Sequence, residues 1–265
     1  MAETPRTTPP LAFDDSGGDG PLVVLLPGAG DLRTEHRFLV PPLVEAGYRA
    51  VIADLPGHGD SPTARSYGVA ETAAALVGLV DRLGAGPAAV VACSFSPAAA
   101  VWAAADRPDA FSSITLISPH LEADESLRGR MQRLAISGLL RGRWAAGIWA
   151  RLYRGWYHDI VPADLDRETA GIRQMLDDPE RRRAVRETLV ASRAGITERM
   201  GTLRMPSVVV FGDADDHFAD PSAEAASLAE RLGGRGLVVP GAGHYPHVEQ
   251  PGLVATVLLE LLEAA

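Results

Sequence analysis

The order of apolar runs predicts an α/β fold: a mostly parallel central sheet flanked by helices, with a helical lid inserted late in the chain. Three observations carry this reading. Short runs rich in Val, Leu and Ala recur at residues 21–26, 49–53, 88–92, 113–117, 207–211 and 236–239. Each is continuous rather than alternating, as suits a strand covered on both faces of a parallel sheet. Segments with helical apolar spacing separate them, which places helices on both sides. The rhythm fails once, over 121–204, where helical spacing continues with no strand.

Taken in order, residues 1–20 are rich in Pro, Gly, Asp and Thr, and only 11–14 resemble a strand, so a frayed start or an edge is expected. The strand over 21–26 runs into Pro27-Gly28-Ala29-Gly30. A helix over 38–46, a strand over 49–53 and the turn Asp54 to Ser61 follow. Residues 69–83 place Ala73, Leu76, Val77, Val80 and Leu83 on one helical face, closed by Gly84 and Gly86. The strand over 88–92 meets Ser94, and an Ala-rich helix over 98–105 follows at once. After the break come a strand at 207–211, the loop Gly212 to His217, a helix over 222–232, a strand at 236–239, the loop 241–246 and a closing helix over 253–262.

Core and insertion are therefore assigned as 21–120 with 205–265, and 121–204. The insertion holds 16 of the 25 arginines and 12 of the 34 acidic residues, a formal +4 against −13 for the remainder. It also holds Trp144, Trp149 and Trp156. The lid must close on the open end of the sheet, so Trp144, Trp149, Tyr153 and Trp156 are candidate pocket residues. The run Arg181-Arg182-Arg183 reads as a solvated helix face.

The net charge of −9 excludes a nucleic-acid surface, which needs a basic stripe, and favours a small-molecule substrate. No run approaches the ~20 apolar residues of a membrane span, and no leader pattern opens the chain. With one cysteine, Cys93, no internal disulfide forms, so a reducing, cytoplasmic location is expected. Monomer and homodimer both fit.

The chemistry concentrates at Ala92-Cys93-Ser94-Phe95-Ser96. A serine on a sharp strand-to-helix bend, with small residues two places away on each side, projects its hydroxyl from a cramped backbone. Two later strand ends offer a carboxylate (Asp213, Asp215 or Asp216) and His244. A hydroxyl needs an imidazole to take its proton, and the imidazole needs a carboxylate to fix its tautomer. Cys93 reads as a buried apolar residue. His36, His58, His120, His158, His217 and His247 read as surface, turn or pocket-lining residues.

The chain resembles the α/β-hydrolase superfamily, lid-bearing single-domain type, through five motifs in order: 27–30, 54–61, 92–96, 212–215, and Gly243-His244 with Glu249 and Pro251 behind it. The resemblance implies Ser94 as nucleophile, His244 as base and then acid, Asp215 as orienting acid, and the N–H groups of Ala29 and Phe95 as the oxyanion hole. It implies no cofactor and no metal, and cleavage of an ester, thioester or lactone. Carbon–carbon bond hydrolysis or cofactor-free perhydrolysis is the alternative with the same triad, and a ligand receptor without turnover the alternative of another class. The chain departs from the family where Pro27 replaces a His, and where Ser96 and Pro97 replace glycines.

Overall fold

The computed structural model describes residues 10–122 and 126–265. The expected fraying of residues 1–9, and residues 123–125 of the insertion, lie outside the described residues. β1 (Phe13–Asp15) opens the fold, followed by β2 (Leu22–Leu26), a single 3-10 turn at Arg33–His36, α1 (Val40–Glu45), β3 (Arg49–Ala53), α2 (Val69–Leu83), β4 (Ala88–Cys93), α3 (Ser96–Asp106) and β5 (Phe111–Ile117). The insertion supplies α4 (Leu127–Leu139), α5 (Ala145–Gly155), α6 (Leu165–Asp177), α7 (Pro179–Leu189) and α8 (Ile196–Met200). β6 (Ser207–Gly212), α9 (Pro221–Leu232), β7 (Arg235–Val239), α10 (Pro246–Glu249) and α11 (Pro251–Glu263) complete it.

The strands form one seven-stranded sheet in the order β1-β3-β2-β4-β5-β6-β7. Only β1 runs antiparallel, against β3. Side chains alternate between two cores, as a pleated strand requires. Leu22, Val24 and Leu26 of β2, with Val90 and Ala92 of β4, pack under α2, α3 and α9. Val23, Leu25, Val91 and Cys93 pack on the other face with α1, α5, α6 and α11. Both faces of β2 and β4 are buried along their whole length, which is why these strands read as unbroken apolar runs.

Two local expectations are corrected. The helix read over 38–46 is present but starts two residues later, as α1, because Pro41 and Pro42 are tolerated only in a helix's first turn. The arginines 181–183 are half-buried rather than a solvated face. Arg181 donates to the carbonyl of Ser61, Arg182 Nη1 to Leu176 O (2.7 Å) and Arg183 Nη2 to Arg65 O (2.6 Å). Arg181 and Arg183 thus fasten α7 to the 58–65 turn, and Arg182 satisfies a carbonyl at the end of α6. Among the described residues, no helix is long and apolar enough to cross a membrane.

The join between β4 and α3 departs most from ordinary backbone. Ser94 has φ 58°, and Ser118 (φ 42°) is the other described residue besides glycine at positive φ. For an L-residue with a Cβ this region costs roughly 1–2 kcal/mol. The bend is held from β5: Ser94 N–H donates to Ile117 O, and Ser94 O accepts His120 N–H, both at 2.9 Å. Ser94→Gly is therefore expected to be more stable than Ser94→Ala by about 1 kcal/mol in urea unfolding; equal stabilities would show that the turn is unstrained.

Candidate active site

β4 delivers Ser94 half-buried at the carboxyl edge of the sheet. Among the described residues, no hydrogen bond engages its hydroxyl. α3 starts two residues later, and its Ala98, Ala99 and Ala100 are fully buried, which lets the helix lie close to the strands. Ser96, standing where the family has glycine, is also buried, and its hydroxyl donates to the carbonyl of Pro27. The chain's two departures from the family pattern thus bond to each other, fixing the elbow against the 27–30 loop.

In that loop Ala29 is buried between Gly28 and Gly30. A Cβ on Gly28 would lie 2.8 Å from Asp31 Oδ2 and 3.2 Å from Ser94 Cβ, so the loop passes directly over the serine. Gly30 has φ 87°, and a Cβ there would overlap the Trp149 indole. Phe95, the other expected oxyanion donor, is 1% exposed, with the Arg193 guanidinium 5.5 Å above its ring.

Asp215 and His244 meet as expected. His244 Nδ1 lies 2.9 Å from Asp215 Oδ2, both side chains buried. With Nδ1–H donated to the carboxylate, the free lone pair of the neutral ring sits on Nε2. The sequence did not disclose a second imidazole: His217 Nδ1 lies 2.9 Å from the other oxygen, Oδ1, and its backbone N–H donates there too (3.2 Å). Burial disfavours the Asp215 anion, but the His217 and His244 hydrogen bonds and their charges outweigh it and lower its pKa. The His244 pKa is lowered, chiefly by burial and against the Asp215 bond. Asp213 and Asp216 are exposed; Asp213 Oδ1 accepts Gly241 N–H at 2.7 Å, which makes it a turn residue. His120 connects the centre, its N–H on Ser94 O and its ring 5.7 Å from His244 and stacked on Phe218.

The insertion reaches both sides of this centre. Trp149 Nε1 donates to Gly30 O (3.1 Å), and Trp156 O accepts His244 N–H (2.9 Å). The half-buried Trp156 ring lies 5.9 Å from His244 and 5.2 Å from His217. Tyr153 is buried behind it, accepting a hydrogen bond from Tyr157 OH at 2.8 Å. Trp144 is 59% exposed and donates to Leu139 O; among the described residues it makes no contact with this group. Glu249 ties loop to insertion, taking Gly243 N–H on Oε1 (2.7 Å) and His158 N–H on Oε2 (2.9 Å).

His36 and His247, read as surface or pocket-lining groups, are instead wholly buried beside Glu35. His58 is buried as well, its Nδ1 3.0 Å from Pro56 O within the 54–61 turn. Among the described residues, two three-residue groups bring metal-ligand atoms within 4.8 Å of one another: Asp215, His217 and His244, and Glu35, His36 and His247. In the first, both Nδ1 atoms already face the carboxylate. In the second, His36 Nε2 is 2.8 Å from Leu26 O and Glu35 Oε2 takes the Gly28 N–H.

The model of the family described as the alpha/beta hydrolase family matches residues 23–257. The pimeloyl-[acyl-carrier protein] methyl ester esterase of Neisseria meningitidis is 28% identical, over 91% of this chain and 92% of its own. A thermophilic esterase from Thermogutta terrifontis superposes with a TM-score of 0.77 at 25% identity, covering 96% of this chain and 93% of that one. The enol-lactonase of Burkholderia xenovorans LB400 superposes at 0.79 with 19% identity, over 96% of each chain, a likeness of fold. The family match runs from the second residue of β2 into α11, covering every loop that carries the site, and this chain accordingly belongs to the alpha/beta hydrolase family of enzymes.

Proposed function

We propose that the protein is a cofactor-independent serine hydrolase that cleaves an ester, thioester or lactone of a small molecule. One observation supports this above the others: a buried His244–Asp215 pair and a left-handed serine at the same edge of the sheet, with nothing among the described residues hydrogen-bonded to His244 Nε2 or to the serine hydroxyl. The esterases among the similar proteins point to the same bond class.

In this reading Ser94 Oγ attacks the substrate carbonyl as its proton passes to His244 Nε2. The imidazolium is stabilised by Asp215, whose anion the two histidines keep ionised. The Ala29 and Phe95 N–H groups receive the oxyanion, near the N-terminus of α3. Collapse expels the alcohol or thiol, which takes its proton from His244 and leaves an acyl-Ser94. Water then attacks this ester, His244 accepts its proton, and the acid departs as the proton returns to Ser94. The insertion acts as the lid, with Trp156 facing the bound substrate beside the base. The lone, buried Cys93 suits a reducing compartment such as the cytoplasm.

Ser94→Ala is expected to abolish turnover of a p-nitrophenyl ester and labelling by a fluorophosphonate; wild-type rates in that variant would sink the mechanism. Asp215→Asn should lower kcat by about 10⁴-fold, whereas Asp213→Asn, which keeps an acceptor for Gly241 N–H, should stay near wild type. Steady-state kinetics on the pair decides the acid. His244 must be neutral to accept a proton, so kcat/KM should rise with pH through one ionisation whose midpoint lies below 6.5, the ordinary histidine value. His217→Ala should move that midpoint upward, because it removes a neighbouring positive charge and leaves Asp215 to His244 alone.

A further inference from the structure

The most unusual packing in the molecule lies beneath the 27–30 loop, where Asp31, Glu35, His36 and His247 are all at most 2% exposed. Two carboxyl groups and two imidazoles withdrawn from water are unfavourable unless each is bonded. Glu35 is the hub. Its Oε2 accepts Gly28 N–H at 2.7 Å, and its Oε1 faces His247 Nε2 at 3.1 Å and His36 Nε2 at 3.7 Å. The Cys93 thiol lies against the same carboxylate: burial first, and then the Glu35 charge, push its pKa well up. Beside it, Asp31 Oδ2 accepts the Tyr245 hydroxyl at 2.8 Å.

These partners share a pattern of position. Gly28 precedes Ala29, Cys93 precedes Ser94, and Tyr245 follows His244. Glu35 bonds to the neighbour of the oxyanion donor and lies against the neighbour of the nucleophile. Through Asp31 and His247 it also reaches the loop of the base. We infer that Glu35 is a positioning residue, one buried carboxylate that sets the relative placement of Ala29 N–H, Ser94 and His244.

The protonation of the cluster agrees with this. Asp31 is pushed well up by burial and by the Glu35 charge, which favours its protonated form. Burial opposes the Glu35 anion, but the His247 bond, the charges of His36 and His247 and the Gly28 N–H hold its pKa at about 2. The pair thus keeps one proton and one negative charge, the anion being the member that touches the loop and the nucleophile strand.

The inference rests on the proposed serine mechanism, and the test separates the two. Wild type, Glu35→Gln, Asp31→Asn and Tyr245→Phe are titrated with a fluorophosphonate, and kcat and KM are measured per labelled site. Glu35→Gln retains an acceptor for Gly28 N–H but loses the anion. It is expected to lower kcat roughly 10- to 100-fold, the cost of an ångström-scale misplacement, with KM little changed. Asp31→Asn copies the protonated acid and should lose less. Wild-type kcat per labelled site in Glu35→Gln overturns the positioning role. If Glu35→Gln does not fold, Tyr245→Phe decides, since it removes one hydroxyl bond: a fall in kcat at constant KM supports the role, and an unchanged kcat overturns it. Failure of wild type to label overturns the serine mechanism itself.

Discussion

The site depends on four parallel strands that end level with one another. Leu26 pairs with Ala92, Cys93 with Ile117, and Ile117 with Val210, so the loops after β2, β4, β5 and β6 leave the sheet side by side. Parallel strands place all their carboxyl ends at one edge, where open α/β sheets gather their chemistry. A slip of one residue at β4 would carry Ser94 along the edge and turn Cys93 from the core of α5 and α11 to that of α2 and α3. The apolar packing on both faces, with no polar side chain along β2 or β4 except the Cys93 thiol, is what fixes this register.

Much of this was legible in the chain. Unbroken apolar runs locate β2, β3, β4 and β6 within a residue, because strands buried on both faces leave no ambiguity about which side is wet. Ser94, Asp215 and His244 were legible because each sits where such a run stops. The buried cluster was not: Glu35 and His247 lie 3.1 Å apart but belong to opposite ends of the sequence, and polar residues in loops read as solvated until the fold encloses them. His217 had a faint signal, an imidazole two residues after the acid. The bonds of Arg181 and Arg183 had none, since a helix pattern does not show which loop carbonyls will lie beside it.

The insertion is built into the site rather than hung over it. One of its tryptophans bonds the 27–30 loop, and the carbonyl of another bonds the histidine's backbone. Removing it would therefore unfasten both loops as well as uncover them. Its formal charge, +4, is opposite in sign to the −13 of the remainder of the chain.

Ser96 and Pro27 deserve to be considered as one unit of inheritance. The buried hydroxyl of one is bonded to the carbonyl of the other, so exchanging either loop with that of a relative carries over half of a bond. A glycine at 96 would leave the Pro27 carbonyl without that donor, while a first loop of different shape would strand the Ser96 hydroxyl, and a buried group left alone is more harmful than a pair replaced together. The two positions are bound to change in concert or not at all, so this lineage's variation at the elbow and at the first loop should be correlated.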